Sequence, residues 1–235
     1  MEIIYLKECS STQTLLREKV KSKNISSEGL LVATKKQTAG YGRRGNQWEN
    51  SSSHALFFSF TAPKEEEEKG QLVSLEIPLK LSLFFEEYYQ RPLSLTPKWP
   101  NDLYNSEKKK CAGIVLHADS DSPFLSIGVG VNLTAPENAS YGGILHHTPI
   151  FSEDFYWKIP LLFTQFFHKT KISSSEIIAS YNKHSLFLHE AVELKEKDHL
   201  VAKGIYKGIG KQGEIILQTE KGEESFFTGS LVKKS

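Results

Sequence analysis

Three glycines, two adjacent arginines and a closing tryptophan fall within the stretch Gln37-Thr38-Ala39-Gly40-Tyr41-Gly42-Arg43-Arg44-Gly45-Asn46-Gln47-Trp48. Glycine reaches backbone conformations closed to other residues and lets the chain approach a ligand closely. Arginine supplies a planar, permanently charged fork that matches phosphate and carboxylate oxygens. The stretch reads as a flexible anion-binding loop with an aromatic wall.

Four other segments carry residue types suited to chemistry. Ser11-Thr12-Gln13 opens a helical pattern. These residues can serve as a plain helix N-cap, or as hydroxyl and amide groups facing a ligand head group. Lys98-Trp99-Pro100-Asn101-Asp102 is turn chemistry, yet an aspartate beside an asparagine also suits a magnesium or ligand-amide site. In Lys108-Lys109-Lys110-Cys111-Ala112-Gly113-Ile114, the first two lysines read as a solvated face. Lys110 leads into a buried strand and can project its ammonium into a site. A Cys111–Lys110 acyl-transfer pair is disfavoured, because strand neighbours point to opposite faces and Cys111 then faces the core. Gly128-Val129-Gly130-Val131-Asn132 permits close backbone approach at a strand end. It lacks the full G-x-G-x-x-G followed by a helix that a Rossmann reading requires.

The elements that must position these segments follow from periodicity. Glu2–Lys7, Leu30–Thr34 and Ala55–Phe60 read as strands, with a helix beyond the Ser10, Ser11 and Thr12 caps. Leu72–Tyr89 reads as a helix with a kink or a late start at Pro78. Leu95–Trp99, Leu103–Asn105, Cys111–Ala118 and Phe124–Val129 read as strands, with a hairpin tip at Asn105-Ser106-Glu107-Lys108. Asn132–Thr148 is irregular. Helical segments follow at about Ser152–His168 and at Ser175–Tyr181. From Ala191 onward, short alternating runs between glycine turns predict a small β-barrel or sandwich. The boundary falls near residue 188, dividing the chain into 1–188 and 189–235.

Composition narrows the function classes. The 235 residues are 39% hydrophobic and 24% charged, as in an ordinary soluble globular protein. A net charge of +1 gives no global bias toward nucleic acid or a membrane surface, so any phosphate site is local. The two cysteines, Cys9 and Cys111, form neither a disulfide framework nor a metal spacing, which points to a reducing cytoplasm. No signal-peptide core or membrane-length apolar run is present.

Taken in chain order, from Ser11-Thr12 through the glycine-arginine loop to Gly128–Asn132, the five segments resemble the biotin protein ligase family. The resemblance covers residues 2 to about 134, and the C-terminal unit more loosely. It implies an α+β catalytic domain, a mixed β-sheet with flanking helices of class II synthetase type, followed by a small SH3-like β-barrel. It implies ATP and Mg²⁺ as cofactors and biotin as substrate. Biotin is activated to biotinyl-5′-adenylate and transferred to a lysine of a biotin carboxyl carrier domain, as in acetyl-CoA carboxylase. Neither nucleic acid nor membrane is an implied partner, and a homodimer is left open.

Carried over by motif, Ser11, Thr12, Gln13, Gln37, Gly40 and Gly113 match biotin-site positions. Arg43 matches the loop arginine on the phosphate, and Lys110 the lysine bridging the biotin carboxylate and the α-phosphate. These two are the implied catalytic residues. Arg44, Trp48, Asn101, Asp102 and Asn132 match the nucleotide side, Trp48 against adenine and Asp102 also near the metal. Lys234 aligns with a basic residue supplied to the nucleotide. Two positions depart from the pattern. Gln13 replaces the usual asparagine. Tyr41 replaces a further arginine, so weaker retention of the adenylate is expected. With the first motif at residue 10, no N-terminal helix-turn-helix is expected, and hence no repressor role. The alternatives are a lipoate or octanoate ligase or transferase, which normally carries an Arg-Arg-x-x-Gly-Gly-Gly loop, and a non-catalytic biotin or nucleotide sensor.

Overall fold

The computed structural model describes residues 1–22, 27–48, 54–64, 70–146, 151–197 and 199–233. Strand β1 (Glu2–Leu6), helix α1 (Thr12–Lys21) and strand β2 (Leu30–Thr34) open the chain. β1 and β2 pair in parallel, which demands the crossover that α1 supplies. β3 (Ala55–Pro63), helix α2 (Leu72–Tyr89), β4 (Thr96–Lys98), β5 (Asp102–Tyr104), β6 (Lys110–Ala118) and β7 (Phe124–Asn132) complete a seven-stranded mixed sheet. Its order is β1-β2-β3-β7-β6-β5-β4, and every pair other than β1–β2 is antiparallel.

β3 and β7 form the centre, paired from Ala55↔Asn132 to Pro63↔Phe124. β3 is buried on both faces from Ala55 to Ala62, as a central strand must be. Alternation then divides its side chains. Phe58 and Phe60 pack on Phe163 of helix α3 (Phe155–Lys169), with ring centroids 5.6 and 6.0 Å away. Phe57 and Ser59 face the other way, into a pocket.

α2 runs through Pro78 rather than starting there. Its burial explains why the missing backbone bond is tolerated. Val73, Ile77, Leu81 and Phe85 enter the core of the large sheet, while Leu72 and Leu75 enter a second core. A helix clamped between two apolar layers gains more from packing than the proline removes. Its buried Glu76 and Lys80 pair one turn apart at 2.7 Å.

The second core is roofed by helix α4 (Ser174–His184) and five antiparallel strands: β8 (Ala191–Glu196), β9 (His199–Ile209), β10 (Ile215–Thr219), β11 (Gly222–Phe226) and β12 (Ser230–Lys233). Their order is β11-β10-β9-β8-β12. Among the described residues β11 and β12 are edges that do not pair with each other, so the observed unit is a sheet. β12 carries no alternation strong enough to read from sequence. Trp99 joins the two cores: it is fully buried in the second, and its indole N–H donates to the Gly213 carbonyl at 2.9 Å. Among the described residues no helix is long and apolar enough to cross a membrane.

Candidate active site

The pocket opens on the face of the sheet opposite α3, where β6 and β7 carry Gly113, Gly128 and Gly130. Absent side chains make the floor. A Cβ at Gly130 would lie 3.0 Å from the Trp48 ring, and one at Gly113 would lie 2.9 Å from it.

α1 forms one wall. Ser11 is its N-cap, accepting from the Thr14 backbone N–H at 3.3 Å, so the capping role of this motif is real. The same turn also faces the pocket. The Thr12 N–H and hydroxyl reach Gln37 Oε1 at 2.8 and 3.2 Å, and the hydroxyl also meets Ser59 Oγ at 2.9 Å. Gln13 donates from Nε2 to the Ser126 carbonyl at 3.0 Å, while its buried Oε1 has no partner.

The glycine-arginine stretch folds into a tight hairpin over the pocket. Thr38 and Ala39 N–H groups bond the Cys9 and Ser10 carbonyls, tying the hairpin to the entrance of α1. Gly42 N–H bonds the Asn46 carbonyl at 2.7 Å and Trp48 N–H the Gly40 carbonyl at 3.0 Å. Arg43–Gly45 forms a single 3₁₀ turn between them, and Gly45 has φ +77°. That left-handed value favours glycine. The hairpin lays Trp48 on the glycine floor, edge-on to Phe57 with centroids 6.3 Å apart. The Trp48 indole nitrogen is buried without a partner.

Charge enters from the third wall. Lys110 Nζ lies 2.7 Å from Asp102 Oδ1 and 5.4 Å from the Trp48 ring centroid. Arg43 Nη1 donates to Asn101 Oδ1 at 3.2 Å. Asn101 is itself held by Nδ2 on the Ile114 carbonyl at 2.6 Å and by Ile114 N–H on its own carbonyl. Two cations and one carboxylate leave this end of the pocket positive, as an anionic ligand requires. Lys98, from the same motif as Asn101, turns away to the Tyr104 hydroxyl at 3.2 Å, and burial draws its pKa below the ordinary 10.5. Among the described residues no three His, Cys, Asp or Glu side chains cluster as a metal cage. Asp102 with phosphate oxygens and water is the kind of donor set Mg²⁺ accepts.

Of the residues singled out in the sequence, Ser11, Thr12, Gln13, Gln37, Arg43, Trp48, Asn101, Asp102, Lys110 and Gly113 line this one pocket. Gly40 and Asn132 do not. Gly40 lies behind Gln37, where a Cβ would come within 2.7 Å of Gln37 Nε2. Asn132 ends β7 beyond Gly130, buried, with Oδ1 unpartnered. Lys234 and the Arg44 side chain lie outside the described residues. Cys111 is buried in the core with its thiol on the Leu103 carbonyl, so no Cys–Lys pair faces the pocket.

The lining also holds residues the sequence reading passed over. Phe57 and Ser59 were recoverable, because alternation sends them opposite to Phe58 and Phe60. Gly229 and Ser230 reach the pocket from the start of β12, and nothing local announces them.

Residues 5–133 match the family model described as Biotin/lipoate A/B protein ligase family. The chain is 27% identical over 139 residues to the human biotin–protein ligase, covering 57% of this chain and 19% of that protein. It is 25% identical over 197 residues to the Escherichia coli bifunctional ligase/repressor BirA, covering 78% and 60%. The chain thus spans less than two thirds of the length of these curated relatives. Among solved structures, it superposes on Aquifex aeolicus biotin protein ligase in complex with biotin and ATP with a TM-score of 0.76, at 27% identity over 99% of this chain and 98% of that one. The matched span holds nearly all of the pocket lining, and the chain belongs to the biotin/lipoate A/B protein ligase family.

Proposed function

We propose that the protein is a biotin protein ligase. The biotin carboxylate attacks the α-phosphate of ATP, giving biotinyl-5′-adenylate and pyrophosphate. A lysine amine on a biotin carboxyl carrier domain then attacks the acyl carbon, forming an amide and releasing AMP. The observation that carries this reading is the gathering of the motif residues around one pocket, in a fold shared with the Aquifex aeolicus ligase that binds biotin and ATP.

The chemistry asks for what the pocket supplies. Two anions must meet, and Lys110 and Arg43 offset their repulsion and the charge that develops on the α-phosphate. Ser11, Thr12, Gln13, Gln37 and Gly113 belong to the biotin end, with Gly40 behind Gln37. Trp48 is the adenine wall with Asn101 beside it on the nucleotide side, to which Arg44, Asn132 and Lys234 are assigned by resemblance alone. Asp102 would hold Mg²⁺, which supplies further neutralisation of phosphate charge. The hairpin carrying Arg43 keeps water from the hydrolysable mixed anhydride. The second step needs an oriented amine and no protein nucleophile.

We also assign residues 1–188 to a class II synthetase-like catalytic domain and 189–235 to an SH3-like unit. The free Cys9 and Cys111 fit a cytoplasmic enzyme.

Pyrophosphate release on mixing with ATP, Mg²⁺ and either biotin or lipoate tests the reading. Biotin-dependent release is expected. Release with lipoate and none with biotin would replace it with a lipoate ligase.

A further inference from the structure

Gln13 is held in a way that fixes what it can recognise. Its side-chain amide is buried, and both donors of Nε2 are spent, on the Ser126 carbonyl and on His117 Nδ1, each at 3.0 Å. His117 and Ser126 face each other directly across the β6–β7 ladder, so one rung of the sheet clamps the amide. The reversed amide would set two acceptor oxygens against each other at Ser126. The remaining atom, Oε1, is buried without a partner. It faces the glycine floor, 2.7 Å from where a Cβ on Gly128 would stand. His117 does not line the pocket, but it meets the lid, with the Tyr41 ring edge-on at 6.5 Å.

We propose that His117 is a positioning residue that locks Gln13 so that its amide oxygen reads an N–H donor on the cyclic head group of the ligand. This rests on the ligand being biotin, whose ureido ring carries such donors. A buried acceptor left unpaired is costly, and a ring N–H removes that deficit. A dithiolane has no N–H and leaves the deficit in place, so the clamp discriminates between the two head groups. The clamp works only while Nδ1 of His117 is bare, with the ring proton on Nε2. Burial, with Arg17 and Lys21, outweighs Asp119 and holds the imidazole below its ordinary 6.5, which favours the neutral ring.

Calorimetric titration of the whole protein with biotin, and with biotin methylated on the ureido nitrogens, tests the assignment. His117→Phe is expected to weaken biotin about tenfold and to narrow the preference over the methylated compound. His117→Asn, whose Oδ1 can stand near the lost Nδ1, is expected to return within about threefold. Equal biotin affinity in wild type and His117→Phe would overturn the clamp while leaving the ligase reading intact. A wild type that ignores biotin would remove both.

A second measurement needs no variant to fold. Biotin methyl ester has no carboxyl to titrate, and its affinity for wild type should hold above about pH 6.5 and weaken as pH falls further and His117 gains a proton. The charged and titratable groups facing His117 are Arg17, Lys21, Asp119 and Tyr41. A flat wild-type profile would overturn the proposal.

Discussion

Lys110 and Asp102 meet at 2.7 Å because β6 carries one extra residue. Across β5 and β6, Tyr104 pairs with Lys110 and Leu103 with Ala112, so Cys111 is a bulge. Strict alternation would set Lys110 and Gly113 on opposite faces. The bulge turns both to the pocket, and the Lys110 ammonium comes within 3.1 Å of a Cβ built on Gly113. Lys110→Ala removes that charge and strands the half-buried Asp102 carboxylate. Pyrophosphate release should fall on the order of 10²–10³-fold, the usual loss when a preorganised charge partner is deleted. A variant within a few-fold of wild type would take Lys110 out of the mechanism.

Gly130 tests the floor. A valine there drives its Cβ to 3.0 Å from the Trp48 ring, which must move. We expect Gly130→Val to shift tryptophan emission to the red and to raise the ATP KM by about tenfold or more, about 1.4 kcal/mol of lost binding. Unchanged emission and KM would show that the ring does not rest on this strand.

Thiol reactivity should separate the two cysteines. Burial drives the Cys111 thiol far above its ordinary 9.0, whereas Cys9 is partly accessible and raised less. Iodoacetamide on the native protein should label Cys9 and spare Cys111 until unfolding. Cys111→Ala should keep adenylation within a few-fold, since the thiol does not face the pocket. Native labelling of Cys111 would contradict its placement in the core.

Acid should weaken the fold in two windows. His117 has a folded pKa below 6.5. Between those two values the unfolded chain binds a proton that the native chain does not, so stability is whole above about 6.5 and declines as pH falls. Asp119 is held below its ordinary 3.8 first by its hydrogen bond to Arg17, and its contribution is lost only as pH falls through its lower folded value. Thermal melts should therefore soften first below about pH 6.5, and His117→Asn should delay the loss to the carboxylate range. Identical profiles would remove His117 as the cause.

Trp99→Phe deletes the indole donor to Gly213 and leaves that carbonyl buried. A loss of about 2 kcal/mol in urea unfolding is expected, from the missing bond and the smaller ring. Only Pro100 separates Trp99 from Asn101 and Asp102, so the ATP KM should rise as well. A neutral substitution would show that the two cores are joined elsewhere.

The adenylate should leave comparatively fast. Tyr41 packs edge-on against His117 in the lid, and an arginine at this position would add a positive charge there. In a chase, Tyr41→Arg should slow adenylate release several-fold, on the order of 1 kcal/mol for an added phosphate contact. An unchanged off-rate would place the control of release outside position 41.

Much of the molecule is written in short-range pattern. Short apolar runs bounded by turn signals marked β2, β3, β6 and β7, and the cap at Ser11 and the hairpin at Asn105 follow from local chemistry. The five motifs were legible because each is contiguous, and their order alone pointed to the family. The convergence of Ser11–Gln13, the Arg43 hairpin, Asp102 and Lys110 on one pocket came from the β1–α1–β2 crossover and the β3–β7–β6 order, which no local window contains. The Cys111 bulge, the His117–Gln13–Ser126 clamp and the approach of Gly229 and Ser230 depend on register and packing, the last two between segments more than a hundred residues apart. Residue type and spacing thus determined which chemistry the chain carries. Tertiary structure decided which atoms face it, because direction in a sheet is set by the partner strand and not by the residue alone.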